Sequence, residues 1–229
     1  MLLWINGPFG GGKTHTAHEI QRRHPGSVVC DPEHLGIGLR RMMPRQLRGN
    51  FQDIPAWRQG TSQVLDAVLG QHDGDVIVPM TVIEPAYLQE IVGPLRANGH
   101  QVRHYSLLAA RATVLRRLRG RTLPLQRDAF AEAMLDQCLD RLSHDDFAEH
   151  IRTDELTIAQ VADRIAASAG LTLTPDDNGF LRAYARRTWV TIKHIRIVLT
   201  RFRSPAKQRL PMSRCRPSGN AAGVYRAGS

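Results

Sequence analysis

The sequence runs to 229 residues, enough for one domain with a full hydrophobic core and some length to spare. Hydrophobic residues make up 42% and charged residues 23%, the balance of a globular chain, and no stretch reaches the ~18–20 apolar residues that a bilayer crossing needs. The net charge of +10 would point to nucleic acid if it were spread out, but residues 1–174 carry 19 Lys and Arg against 19 Asp and Glu, and the stretch from Pro175 onward carries 12 against 2. The larger part is therefore neutral, which argues against a DNA- or RNA-binding main domain, because phosphate neutralisation needs a cationic surface.

Taken in order, residues 2–5 form an apolar run that stops at a glycine-rich turn, the pattern of a buried parallel strand. The pattern then predicts a helix over 14–23, closed by Pro25-Gly26, and a second strand over 27–30 followed by Asp31-Pro32-Glu33. Further helices are predicted over 35–43, stopped by Pro44, and over 61–69, where Val64, Leu65, Val68 and Leu69 recur at helical spacing. A third strand over 76–80 precedes a helix over 85–97. A fourth strand over 102–108 precedes a helix over 112–119, and a single amphipathic helix is predicted over 129–142. A short fifth strand spans 150–153, and Thr157-Ile158-Ala159-Gln160 reads as a capping box for a helix ending at Gly170.

Strands alternating with helices at this spacing imply an α/β doubly wound fold with a five-stranded parallel sheet. The expected strand order is 2-3-1-4-5, with a C-terminal helix and tail. The domain is expected to occupy 1–174. Thr174-Pro175 opens a basic amphipathic helix over 175–203, and a Pro-, Gly-, Ser- and Arg-rich flexible tail is expected over 204–229. Cys30, Cys138 and Cys215 lack CxxC spacing and suit free thiols. With no basic leader segment at the start, the expected location is the cytoplasm.

Gly7-Pro8-Phe9-Gly10-Gly11-Gly12-Lys13-Thr14 matches GxxxxGK[ST], the phosphate-binding P-loop, and it follows a strand and opens a helix as that motif requires. Gly7, Gly10, Gly11 and Gly12 let backbone N–H groups curl around a phosphate at a helix N-terminus. Lys13 can reach the β- and γ-phosphates of ATP, and the Thr14 hydroxyl can ligate Mg²⁺. The third strand ends in Pro79-Met80-Thr81 with no acid for a Walker-B role. There is no Asn-Lys-x-Asp for guanine and no Leu-Ser-Gly-Gly-Gln of transport ATPases. What remains is similar to the small-molecule and nucleotide kinases. In these an acid just after the second strand accepts the substrate's proton or orients Mg²⁺, and Asp31 stands there. The other reading of Asp31 is a helix cap. Leu115-Arg116-Arg117-Leu118-Arg119-Gly120-Arg121 resembles the lid entry L-x-R-L-x-x-R, in which Arg117 and Arg121 would clamp the transferring phosphoryl group. The plainer reading is a basic helix end. Residues 123–128 would then be the lid.

Several segments together resemble the tunicamycin-resistance protein family of bacterial ATP-binding proteins. They are Leu3-Trp4-Ile5-Asn6-Gly7 entering the P-loop, Asp31-Pro32-Glu33 with Gly36, Leu39, Arg40 and Met42, then Phe51-Gln52, Pro55 and Trp57-Arg58. Ile77-Val78-Pro79-Met80-Thr81, Leu115 with Arg117-Leu118-Arg119, His150-Ile151, Thr153-Asp154 with Leu156, and His194-Ile195-Arg196-Ile197 complete the set. Pro8 and Gly11 stand where the pattern has small residues such as Ala and Ser. The resemblance implies tunicamycin, a uracil-containing nucleoside antibiotic with a fatty-acyl chain, as ligand, and a kinase-like phosphotransferase action on it. Trp57 could then stack on a base, or be core; Arg40 and Arg58 could hold a diphosphate-like group, or be surface charges; Thr81 could hydrogen-bond the substrate.

Two further readings are weaker. His15 and His18 lie one turn apart without a third metal ligand in sequence. Between 181 and 203 an apolar stripe alternates with arginines, which suits docking on the chain's own domain or peripheral contact with an anionic membrane at its inner face. The function expected is an ATP-dependent phosphotransferase. Its rivals are an antibiotic-sequestering protein that uses ATP only as a conformational ligand and, more distantly, an RNA-associated ATPase.

Overall fold

The computed structural model describes residues 1–120, 129–147 and 149–176. Arg121, the expected lid over 123–128, and all but the first two residues of the helix and tail expected over 175–203 and 204–229 lie outside them. Five strands, β1 (Leu2–Asn6), β2 (Val28–Val29), β3 (Val76–Pro79), β4 (Val102–Leu108) and β5 (His150–Arg152), form one sheet in the order β2-β3-β1-β4-β5. All four pairings are parallel, and the order is the one expected. Every residue of β1 is buried, because helices cover both faces of the central strand.

The alternation of side chains along the strands sorts the core into two layers. Leu2, Trp4, Val76 and Val78 face one way with Leu65, Ile91, Leu95 and Leu142. These come from α3 (Pro55–Gln71), α4 (Pro85–Ala97) and α7 (Leu135–Leu142). Leu3, Ile5, Ile77, Tyr105 and Leu107 face the other way with Ala17, Ile20, Val161 and Ile165, from α1 (Lys13–Arg23) and α8 (Ile158–Ala169). The capping box of α8 forms as expected: Thr157 Oγ1 accepts from the Gln160 amide at 3.2 Å, and the Gln160 side chain accepts from the Thr157 amide at 2.9 Å. Thr174 remains part of the body, its amide donating to the Arg23 carbonyl at 2.8 Å while Arg23 Nε donates to the Thr174 carbonyl at 2.7 Å.

Three elements differ from the sequence pattern. Helix α3 begins at Pro55, six residues earlier than the periodicity suggested, because proline at N1 needs no N–H partner and the extra turn buries Trp57 and Arg58. Helix α2 (Glu33–Met42) begins beside Asp31 rather than at Leu35. The helix expected over 129–142 is two, α6 (Ala129–Ala133) and α7, separated at Met134. Among the described residues no helix is long and apolar enough to cross a membrane.

Candidate functional site

Parallel strands place the segments that follow them along a single edge, which is where ligands bind in open α/β sheets. Here the edge carries the P-loop after β1, Asp31 after β2, Thr81 after β3, and Thr153 after β5. Within the loop Gly10 and Gly12 adopt φ of +79° and +93°, the left-handed region that glycine enters without cost. A Cβ on Gly10 would also lie 2.7 Å from Leu118 Cγ, so the loop is pressed against α5 (Arg111–Arg119). Helix α1 opens at Lys13 with no acidic residue in its first turn and no side-chain cap. Its N-terminal amides and positive dipole end therefore suit an anion. Lys13 Nζ donates to the Pro8 carbonyl at 3.0 Å and lies 5.7 Å from the centre of the Phe9 ring.

The loop is tied down by two side chains. Asn6 is fully buried. Its Oδ1 accepts from the amides of Gly7 at 2.9 Å and Val82 at 3.1 Å, and its Nδ2 donates to the Val82 carbonyl at 2.8 Å. Thr81 Oγ1 donates to the Gly7 carbonyl at 2.8 Å. Both backbone polar groups of Gly7 are thus held by side chains, and the Gly11 amide donates to the Pro8 carbonyl at 2.9 Å within the loop. Sequence reasoning passed over Asn6, whose signal is a polar residue at the last position of an otherwise apolar strand.

Asp31 is the perturbed carboxyl of the site. Burial pushes it up to about 6 and the charge of Glu33 pushes the same way; the Glu33 amide hydrogen bond, His34 and Lys13 pull it back. Its Oδ1 accepts from the Glu33 amide at 2.9 Å, so it caps the start of α2, and Lys13 is close enough to act on its charge. The two strongest candidates from the sequence therefore share one electrostatic neighbourhood.

Arg117 is half-buried. Its Nη1 donates to Thr153 Oγ1 at 3.0 Å and its Nη2 to the Thr153 carbonyl at 2.6 Å, which ties α5 to the end of β5. Burial lowers its pKa, partly offset by Asp154. Arg40 sits half-buried in the last turn of α2, about 10 Å along the axis from Glu33.

Three residues expected at the substrate have structural partners here. Trp57 is 0% exposed; its ring tilts on Phe51 at 5.2 Å and its Nε1 donates to the Pro32 carbonyl at 3.0 Å. No face of it is open to a base, because the early start of α3 carries it into the core. Arg58 is buried under Tyr87, 4.2 Å from that ring, and bonded to Glu90 and the Gln52 carbonyl. These partners engage two of its three guanidinium nitrogens, Nε and Nη1. Thr81 spends its hydroxyl on Gly7, as above. A cleft of about 400 Å³ between α4 and the α7–β5 connection, lined by Gln89, Arg96, His104 and Asp146 among others, contains none of the residues expected to bind nucleotide or substrate. Among the described residues no three His, Cys, Asp or Glu side chains converge as a metal site.

Comparison with known proteins agrees with this geometry. The AAA domain family model matches residues 2–144. The structure of the tunicamycin resistance protein of Deinococcus radiodurans is similar at 35% identity and a TM-score of 0.65, over 76% of this chain and 99% of that one. A sugar kinase from a Janibacter species (15% identity, TM-score 0.55, 75% and 95% covered) and a gluconokinase from Sinorhizobium meliloti (14%, 0.54, 73% and 90%) share the fold. A search of curated proteins found no match. With its nucleotide-binding, kinase-like architecture, the chain belongs to the tunicamycin resistance protein family.

Proposed function

We propose that the protein is an ATP-dependent phosphotransferase acting on tunicamycin or a related nucleoside-like compound. The observation that supports it best is Asp31: a carboxyl beside the P-loop lysine, raised to about 6, is poised to accept a proton near neutral pH. The amides of Gly10 to Thr14 and the Lys13 ammonium would hold the β- and γ-phosphates. Thr14 and Asp31 offer hard oxygen donors of the kind Mg²⁺ takes alongside phosphate oxygens. Such an ion would neutralise phosphate charge.

The transfer follows from these parts. The acceptor hydroxyl oxygen bonds to the γ-phosphorus while the bond from that phosphorus to the bridging β-phosphate oxygen breaks. The hydroxyl proton passes to Asp31, and ADP leaves. Arg117, together with Arg121, would spread the charge of the transferring group. Cytoplasmic operation, with contact at the inner membrane face through residues 181–203, fits the acylated ligand.

The second reading, antibiotic sequestration with ATP as a conformational ligand, is favoured by one observation: Arg117 is already engaged by Thr153. Incubation with Mg·ATP and tunicamycin followed by mass spectrometry separates them. A gain of one phosphoryl group on the antibiotic supports transfer, and tight binding at unchanged mass supports sequestration.

A further inference from the structure

Helix α2 does not run on into another core element. It breaks at Met43-Pro44 into a one-turn 3₁₀ helix over Arg45–Leu47, and the chain makes a projecting corner. Arg48 reaches back across it, Nε donating to the Met43 carbonyl at 3.0 Å and Nη2 to the Arg41 carbonyl at 3.5 Å, while the Leu47 amide donates to the Pro44 carbonyl at 3.0 Å. The corner is therefore stapled in shape. All of residues 41–50 except Met43 are exposed.

Its composition is unlike the rest of the surface. Among the described residues three large apolar side chains stand out in solvent, and two of them are here, Met42 at 82% and Leu47 at 62% exposure. Arg41 and Arg45 are exposed next to them in sequence, Arg48 is exposed with Nε and Nη2 turned to backbone carbonyls, and Arg40 is half-buried; no acidic residue occurs between Glu33 and Asp53. Apolar tips interspersed with exposed arginines on a hydrogen-bonded turn match the interface of a negatively charged bilayer: the tips enter the acyl boundary and the guanidinium groups meet lipid phosphates. A protein partner would need a shaped counter-surface, whereas a bilayer asks only for this pairing of charge and apolar reach.

We propose that the corner over residues 41–48 docks on an anionic lipid bilayer. These residues are distinct in sequence from 181–203, and their docking does not depend on phosphotransfer.

The test is co-sedimentation of the full chain with neutral phosphatidylcholine vesicles and with vesicles containing phosphatidylglycerol. The tail is present in every sample, so only the corner varies. Met42→Ser with Leu47→Ser is expected to lower partition onto the anionic vesicles about tenfold. Arg41→Gln with Arg45→Gln should lower it on the order of tenfold at low salt, and less at high salt. Leu47→Trp should strengthen partition and give emission quenched by brominated lipid beyond that of the parent chain. Nucleotide affinity should be the same in all. The proposal is overturned if the parent ignores anionic vesicles, if both double variants partition like the parent, or if Leu47→Trp shows no added quenching.

Discussion

The hydroxyl of Thr81 donates to the carbonyl of Gly7 at 2.8 Å, fastening the segment after β3 to the first glycine of the phosphate loop. Thr81→Val keeps the shape and removes the donor, leaving a buried carbonyl unpaired. The expected cost is about 1–2 kcal/mol, seen as roughly a tenfold loss of nucleotide affinity by calorimetry, and Thr81→Ser should restore it. Equal affinity in the Val and Ser variants would show that the bond does not position the loop.

Under the proposed transfer, Asp31 would link activity and stability to pH in opposite senses. Its folded value of about 6 lies above the ordinary value near 4, so between those limits the folded protein keeps a proton that the unfolded chain has released. Stability from this group is therefore full below about pH 4 and declines as pH rises through 6. Transfer does the reverse, falling as pH drops below 6 because the base is protonated. Asp31→Asn retains an oxygen for the Glu33 amide and removes the buried charge. It should raise neutral-pH stability on the order of 2 kcal/mol and abolish transfer. An Asp31→Asn protein that melts earlier than its parent at pH 7 contradicts this.

Trp57 should behave as core. Trp57→Phe leaves a void and removes one of the two donors to the Pro32 carbonyl, which keeps the Gly36 amide at 3.2 Å, and about 2 kcal/mol of unfolding free energy should be lost in denaturant titration. Antibiotic affinity, measured well below the melting transition, should hold. A large affinity loss at unchanged stability would return Trp57 to the ligand.

Arg117 grips Thr153 through two nitrogens, which a lysine cannot reproduce. Arg117→Lys should lower stability by about 1 kcal/mol and, if Arg117 also meets the phosphoryl group, lower kcat at least tenfold with little change in nucleotide Kd. A kcat that tracks only the folded fraction would confine it to holding α5.

Much of this was legible in the residues. The P-loop announces itself because phosphate binding demands backbone that only glycine provides, and the parallel sheet follows from strands alternating with helices, while its order came with the likeness to P-loop kinases. Asp31 was legible from its place after β2, while its raised proton affinity needed the burial that the fold supplies. The substrate side was less legible. An arginine, a tryptophan and a threonine look alike in sequence whether they meet a ligand or each other. Arg58 and Trp57 turned inward because α3 starts at Pro55, and that start was hidden by Arg58-Gln59-Gly60, which breaks the apolar period. Asn6 was missed for the opposite reason: its importance lies in four hydrogen-bonding contacts to residues as distant as Val82 and His104, which local pattern does not record.

The central claim is that the loop ending in Lys13-Thr14 grips a nucleoside triphosphate, and titration calorimetry with Mg·ATP tests it most directly. The parent chain should release heat at a single saturable site, and Lys13→Ala should lose that heat while melting at an unchanged temperature. A parent chain that gives no heat with ATP or any other common nucleoside triphosphate, or a Lys13→Ala chain that binds as well as the parent, would contradict the account.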